Sequence, residues 1–224
     1  MIGPKRTTCK ISYAVQESPR GLPEAFTLAE EFLDGSSSAL ILGDNLFFGY
    51  SFGSLLEETS LKTEGMQVFL YPVQNPEAYG IIELDSFSQK VISLEEKPLN
   101  PKSNLAVPGI YFCDNNAPDF AKKLIPSARG ELEIIDLMKI YLEKGMLNAR
   151  NLGRGIAWLD TGTPDNMLSA SEFVAVIERR QGLKIACLEE ISYNKGWLDK
   201  ATLKKVLAHM PESLYKKYLK NVAS

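Results

Sequence analysis

Ala39-Leu40-Ile41-Leu42-Gly43-Asp44-Asn45 is an apolar run that stops abruptly at Gly-Asp-Asn, and its reading decides the fold. A short, unbroken apolar run of this kind is what a strand buried in a parallel sheet presents. The carboxylate that follows lies where open α/β sheets bind their ligands, at a strand's carboxyl end. On the N-terminal side, Ile11, Tyr13 and Val15 alternate with polar or small residues as a strand does. Pro19-Arg20-Gly21 then breaks the pattern before a helix with Leu22, Phe26, Ala29 and Leu33 on its apolar face. On the C-terminal side, Leu55-Leu56 belong to a short helix and Met66 to Tyr71 read as the next strand. This alternation predicts an α/β fold built on a doubly wound, mostly parallel sheet.

The middle of the chain is richer in strands. Tyr79 to Leu84 and Lys90 to Leu94 flank the turn residues 85–89 and predict a hairpin, and Ala106 to Phe112 predicts a further strand. Pro108 lies inside that strand without a backbone donor, so a ladder bond must be missing there or the strand is an edge. A helix is expected from Glu131, with Leu132, Ile135, Leu137, Met138 and Tyr141 inward and Gly145 at its stop. Thr163-Pro164 caps a long helix that ends at Gly182. From Ile191 onward the pattern is helical and rich in lysine.

The 224 residues carry 25 Lys+Arg against 28 Asp+Glu, a net charge of −3, which argues against an electrostatically driven nucleic-acid binder. With 45% apolar and 24% charged residues the composition is that of a globular domain. No apolar run approaches the roughly 18 residues of a membrane span, and the opening residues lack the apolar segment of a signal peptide, so a cytoplasmic protein is expected. Cys9, Cys113 and Cys187 are scattered without a Cys-x-x-Cys, and His209 is the sole histidine. A disulfide framework or zinc site is therefore not expected. The cysteines read as buried apolar residues and His209 as a solvated helix position, which leaves any chemistry to carboxylates, Lys, Arg and backbone donors.

Asp44 ends one apolar run, and Asp160 ends a similar one at Ile156-Ala157-Trp158-Leu159. Either could be an Asx-turn or capping residue. Together on one edge, without His or Cys, they would suit Mg²⁺, a hard ion that takes one or two carboxylates plus substrate phosphates. Glu95-Glu96-Lys97-Pro98 reads either as a solvated turn or as a Lys for a phosphate beside a Glu that accepts from a sugar hydroxyl. Arg129, where a loop enters a helix, is either a helix-entry charge or a fork for phosphate. Gln16 to Leu22 is a strand-to-helix loop whose side-chain amide could read the edge of a base.

These pieces, in this order, resemble the sugar-1-phosphate nucleotidylyltransferases, and among them the group that transfers a thymidylyl unit to glucose 1-phosphate. The resemblance rests on Val15-Gln16 through Pro19, Gly21-Leu22, Leu42 to Asn45, Tyr79-Gly80 and Ser93 to Pro98, and continues through Pro101 to Asn104, Ala128 to Ile134, Gly153 to Gly155 and Trp158 to Thr163. It runs from about Lys10 to the C-terminus. It implies a Rossmann-like nucleotidyltransferase fold and a reaction between dTTP and glucose 1-phosphate that yields dTDP-glucose and pyrophosphate. Asp44 and Asp160 would hold Mg²⁺ against the α-phosphate, and Lys97 and Arg129 would carry the sugar phosphate. Glu96, Tyr79, Gly80, Val107 and Trp158 would line the sugar pocket. Gln16, Pro19, Gly21 and Leu22 would hold the thymine, with Asp44 and Asn45 also on the nucleotide. Gly49, Arg154, Lys184, Glu190 and Ile191 would surround a second, regulatory nucleotide.

Members of that family begin with a strand and a loop Gly-Gly-x-Gly-Thr-Arg, followed by a Lys, which cradle the triphosphate. This sequence has none of them, Met1 to Cys9 match nothing in the pattern, and the chain joins it at the third strand. Residues 1–162 are accordingly read as an N-terminally truncated transferase domain and 163–224 as a helical assembly and regulatory segment of a homo-oligomer. Each charge-assisted contact missing from the triphosphate forfeits about 1.5 to 3 kcal/mol, so weak ligand binding and slow or absent turnover are expected. Two alternatives remain: another nucleotidylyltransferase, such as a uridylyl enzyme, or a non-catalytic remnant or regulatory subunit. Pro108, Pro23 and Ile135 depart from the Thr, Ala and Thr usual in the group.

Overall fold

Residues 10–223 are described by a computed structural model, and they fall into two units. Residues 14–162 form the sheet unit; residues 163–223, with 10–13, form the second. In chain order the sheet unit contains α1 (Glu24–Leu28), α2 (Glu30–Leu33), β1 (Ser38–Ile41), β2 (Asn45–Phe48), α3 (Phe52–Ser60) and β3 (Met66–Pro72). It continues with β4 (Gly80–Leu84), β5 (Val91–Glu96), β6 (Leu105–Ala106), β7 (Ile110–Cys113), α4 (Ala117–Ala121), α5 (Ile134–Glu143), β8 (Leu147–Asn151) and β9 (Ala157–Asp160).

β3 is the organising strand. It pairs with β8 along one edge and with β7 and then β6 along the other, within a seven-stranded sheet ordered β1-β7-β3-β6-β4-β5. Its period-two pattern divides the core: Met66, Val68 and Leu70 pack with Leu137, Met138 and Tyr141 of α5. Phe69 belongs to a second cluster with Leu55, Ile110, Leu152 and Ile156. Apolar clusters on both faces give the α/β layers that the sequence pattern predicts.

The ladders themselves are mixed. β3 and β8 pair in parallel, and the other described pairs are antiparallel. A short turn accounts for the β4–β5 pair, while the other antiparallel pairs join strands distant in the chain. β4 and β5 form the expected hairpin, with Asp85 Oδ1 accepting from Ser88 N at 2.7 Å.

Several elements depart from the sequence pattern. β1 is antiparallel to β7 and outermost in the sheet, with Ile41 58% exposed, rather than a buried parallel strand. An apolar run is buried only where both its faces are covered, and among the described residues β1 pairs along one edge. Ile11 to Val15 form no strand, because alternation needs a ladder partner and no described strand supplies one. The helix expected from Leu22 to Leu33 is two short helices that meet at Ala29. α5 begins at Ile134, not Glu131, because Leu132 N donates instead to Arg20 O at 2.7 Å and Glu133 is extended.

The strand expected from Ala106 to Phe112 is broken at Val107-Pro108-Gly109 into β6 and β7. The missing donor of Pro108 interrupts the ladder, as a proline within a strand must. On one side of it Val107 N continues the β4–β6 register by donating to Gly80 O at 2.9 Å, and on the other Gly109 N leaves the ladder and donates to Asn45 Oδ1 at 3.0 Å.

The second unit is helical, with α6 (Pro164–Gln181), α7 (Leu188–Asn194), α8 (Lys200–His209) and α9 (Leu214–Val222). Thr163 Oγ1 caps α6 by accepting from Asn166 N at 3.2 Å, and Gly182 ends it at φ 69°. Asp199 and Ser213 cap α8 and α9 in the same way. Cys187, Leu198, Leu203, Leu207 and Leu219 form the core between α7, α8 and α9. Cys113 and Cys187 are buried, and His209 is an exposed residue at the end of α8; Cys9 lies outside the described residues. No described helix is long and apolar enough to cross a membrane.

A buried carboxylate ties the sheet to α5. Asp114, at the end of β7, accepts from Gly65 N at 3.0 Å, Asn116 N at 3.0 Å, Asn116 Nδ2 at 3.0 Å and Tyr141 OH at 2.7 Å. Burial raises the Tyr141 hydroxyl pKa, and its hydrogen bond to Asp114 adds to the rise, so the hydroxyl stays a donor. Tyr141→Phe removes one donor from a buried carboxylate and is expected to destabilise the chain by about 1 to 3 kcal/mol, read as a lower urea midpoint at unchanged slope.

Candidate active site

The register of β4 against β5 sets Gly80 opposite Glu96, and Lys97 N donates to Tyr79 O at 3.0 Å. Two dipeptides far apart in the chain, Tyr79-Gly80 and Glu96-Lys97, thereby face each other. Lys97 has φ 44°, a left-handed conformation that turns the chain out of β5. Glycine at position 80 is needed by packing, since a Cβ there would meet Ile135 Cδ1 at 2.8 Å.

The antiparallel ribbon of β2 and β9 delivers the acidic residues. Asn45 pairs with Asp160, and Thr161 N donates to Asp44 O at 2.8 Å. Asp44 and Asp160 flank Gly162: a Cβ on that glycine would lie 3.0 Å from Asp160 Oδ1 and 3.7 Å from Asp44 Oδ2. The two carboxylates therefore converge on one small space that the glycine leaves open. Oxygen donors alone, two carboxylates with room between them, fit a hard divalent cation such as Mg²⁺ that completes its shell with water and phosphate. No group of three or more metal-ligating side chains occurs among the described residues.

A relay of amides orients this pair. Asn45 Oδ1 accepts from Gly109 N at 3.0 Å and from Trp158 Nε1 at 2.6 Å, which turns its Nδ2 to donate to Asp44 Oδ1 at 2.8 Å. Asp160 Oδ1 accepts from Gly162 N at 2.8 Å and Oδ2 from Tyr79 OH at 3.1 Å. Burial raises the Tyr79 pKa, with the Asp160 charge and hydrogen bond as further causes, so the phenol remains protonated and donating.

These groups line a cavity of about 250 Å³: Asp44, Asn45, Tyr79, Gly80, Glu96, Lys97, Val107, Trp158 and Asp160, with Gly109, Tyr111, Ile134 and Ile135. Arg129, on the loop before α5, does not line this cavity but touches it through Glu96, its Nη2 3.4 Å from Glu96 Oε1. A second cavity, of about 480 Å³, is lined by Gln16, Pro19, Gly21 and Leu22 with Ala14, Ala25, Leu28, Ala29 and Glu131. Leu22 borders both cavities.

Asp44 and Asn45, expected on the nucleotide with Gln16, line the smaller cavity rather than the larger one. The side-chain amide of Gln16 is already engaged, donating to Glu24 Oε2 at 2.5 Å and Gly21 O at 3.3 Å. Of the residues expected around a second nucleotide, Gly49 and Arg154 belong to the sheet unit and Lys184, Glu190 and Ile191 to the helical one. Gly49 is accounted for by packing, since a Cβ there would meet Gly155 O at 2.7 Å. Lys184 pairs with Glu178, and Glu190 accepts from Tyr218 OH at 2.6 Å.

Sequence reading did not single out Glu133, Gly109 or Glu24. Glu133 stands four residues after Arg129, a spacing that signals an ion pair only on a helix, and here a turn at Arg129 leads to an extended Glu133. Gly109 could have been found from Pro108, because a strand broken by proline leaves the next N–H in need of a new acceptor.

The nucleotidyl transferase family profile matches residues 3–176. The match opens upstream of Lys10, so the family pattern extends into the segment that motif reading left unmatched. Glucose-1-phosphate thymidylyltransferase of Neisseria meningitidis serogroup A is 49% identical over 209 residues, which cover 93% of this chain and 72% of that protein. The same enzyme of Mycobacterium tuberculosis H37Rv is 45% identical over 209 residues, with the same shares. A Bacillus anthracis protein assigned as a glucose-1-phosphate thymidylyltransferase, solved with sucrose, superposes with a TM-score of 0.64 at 37% identity, covering 72% of this chain and 64% of that one. A UDP-glucose pyrophosphorylase shares the fold, with a TM-score of 0.67 at 23% identity over 76% of this chain and 67% of the other.

Burial raises the Glu96 pKa, the Glu133 charge raises it further, and Arg129 and Lys97 oppose them. A carboxyl raised on folding binds its proton more tightly when folded. Its stabilising contribution is therefore present below the ordinary glutamate range and lost as pH rises through the raised value. Glu133→Gln removes one raising charge, so carboxyl-carbon NMR is expected to show Glu96 titrating at lower pH than in the parent chain.

Proposed function

The chain belongs to the nucleotidyl transferase family, among its glucose-1-phosphate thymidylyltransferases, and from that premise we propose that it seats glucose 1-phosphate and a thymidine nucleotide for thymidylyl transfer from dTTP. The observation that carries the reading is one cavity lined by acidic and basic groups in separate places, Asp44 and Asp160 on the ribbon and Lys97 with Glu96, to which Arg129 is paired from outside the lining. Phosphoryl-type transfer demands chiefly positioning and charge neutralisation. The attacking oxygen of a sugar phosphate is already an anion, so no histidine base is needed, and the cavity has none.

In this reading Glu96 accepts from a sugar hydroxyl, the Gly80 and Val107 backbones border the ring, and Tyr79 and Trp158 wall the pocket. Lys97 and Arg129 hold the sugar phosphate. Pro19, Gly21 and Leu22 shape the larger cavity for the base, and Gln16 must exchange its bond to Glu24 for one to the base edge. Leu22 stands between the two seats. Asp44 and Asp160 would hold Mg²⁺, which when bound neutralises charge at the α-phosphate. We assign the protein to the cytoplasm, where nucleoside triphosphates and sugar phosphates are available.

We also assign residues 163–224 to self-association and, with Gly49 and Arg154, to a second nucleotide. Met167, Leu168 and Val176 of α6 are exposed apolar residues, more than a solvated helix requires. Light scattering at high protein concentration is expected to show a homo-oligomer, and a strict monomer overturns the assignment.

Calorimetry tests the site. Glucose 1-phosphate is expected to bind without metal and to lose about tenfold or more in affinity in Lys97→Ala and in Arg129→Ala. Binding of dTDP-glucose is expected to strengthen on adding Mg²⁺, and Asp44→Asn and Asp160→Asn each to abolish that increment. Mg²⁺ dependence that survives both substitutions overturns the metal assignment.

A further inference from the structure

The Arg129 guanidinium is held side-on by Glu133, a residue that does not line the cavity described above. Nε donates to Glu133 Oε1 at 3.1 Å and Nη2 to Oε2 at 2.7 Å. Glu133 is 8% exposed and lies immediately before α5, where the helix dipole favours an anion. Burial pushes its carboxyl up, but the Ser127 hydroxyl and the Arg129 guanidinium outweigh burial and hold it below the ordinary glutamate range. The loop is bound to the same group. Ser127 Oγ donates to Glu133 Oε1 at 2.7 Å and accepts from Arg129 N at 3.2 Å, while Gly130 N closes the turn on Ser127 O at 2.8 Å.

We propose that Glu133 is a positioning residue that aims Arg129 at the phosphate of the sugar substrate, an inference that rests on the reading of the cavity given above. A guanidinium has five N–H groups in a rigid plane. Glu133 and Glu96 occupy its Nε and Nη2 edge, which leaves the Nη1 N–H groups to donate to an incoming phosphate. Without Glu133 the nearest anion to Arg129 is Glu96, 3.4 Å away. The guanidinium would then close onto Glu96, and the cavity would lose a phosphate donor and a hydroxyl acceptor together.

A double-mutant cycle on glucose 1-phosphate binding, read by calorimetry, tests this. Glu133→Gln preserves volume and is expected to weaken binding about tenfold, the scale of one charge-assisted hydrogen bond. Glu133→Ala is expected to weaken it at least as much, and melting curves check that each variant is folded. In the Arg129→Ala background, Glu133→Gln is expected to change affinity less than twofold, because Glu133 acts only through the arginine. Equal losses in both backgrounds, or unchanged or tighter binding in Glu133→Gln alone, overturn the proposal. Equal affinity of the parent chain and Arg129→Ala, or no binding by the parent chain, instead overturns the reading of the cavity and takes this inference with it.

Discussion

The side-chain amide of Asn45 is the joint on which the cavity depends. Its oxygen accepts from Gly109 N and Trp158 Nε1, and its nitrogen donates to Asp44. One group thus links the break in the β6–β7 strand, the end of β9 and the acidic residue that precedes β2. An amide has distinct donor and acceptor ends, so two donors on the oxygen decide where the nitrogen points. Neither a carboxylate nor an aliphatic residue could accept on one side and donate on the other. Without Asn45, the buried Gly109 amide and the half-buried Trp158 indole would lack an acceptor, each at a cost of about 1 to 3 kcal/mol.

The strand break that supplies Gly109 is a local defect with a use. A continuous strand from Leu105 to Cys113 would direct its amides into the ladder. Pro108 interrupts this, and the amide of Gly109 bonds instead to the Asn45 side chain at the cavity wall. Charge is separated by the same architecture. The β2–β9 ribbon brings two carboxylates to one glycine-lined gap, and the β4–β5 hairpin brings Glu96 and Lys97 to another side of the cavity. Arg129 comes from a loop with no ladder to fix it, and it is fixed by a buried carboxylate.

Burial divides the acidic residues by task. Asp114 is enclosed and satisfied by four donors, so it serves the joint between β7, α4 and α5. Glu133 is buried with a cation and a hydroxyl for partners. Asp44 is exposed, facing a gap in which a Cβ would crowd. Sequence alone cannot tell these roles apart, because all three are acids at or near the end of an element.

The sequence by itself determined the class of the fold, the strand Met66 to Tyr71, the β4–β5 hairpin and the capped α6, and through its resemblance to the family it pointed to residues that the cavity brings together. These rest on local chemistry: apolar periodicity, turn residues, caps, and motifs whose residue types suit phosphate, sugar and cation. Only the tertiary structure decided which edge β1 pairs along, that Ile11 to Val15 form no strand, and that Leu132 bonds to Arg20 and so delays α5. It also decided that Asn45 orients Asp44, that Glu24 occupies Gln16, and that Glu133 holds Arg129. Each of these depends on a partner distant in sequence or on a backbone conformation set by one. A single residue's preference is written in the chain, but the partner that satisfies a donor or covers a face exists only once the chain has folded.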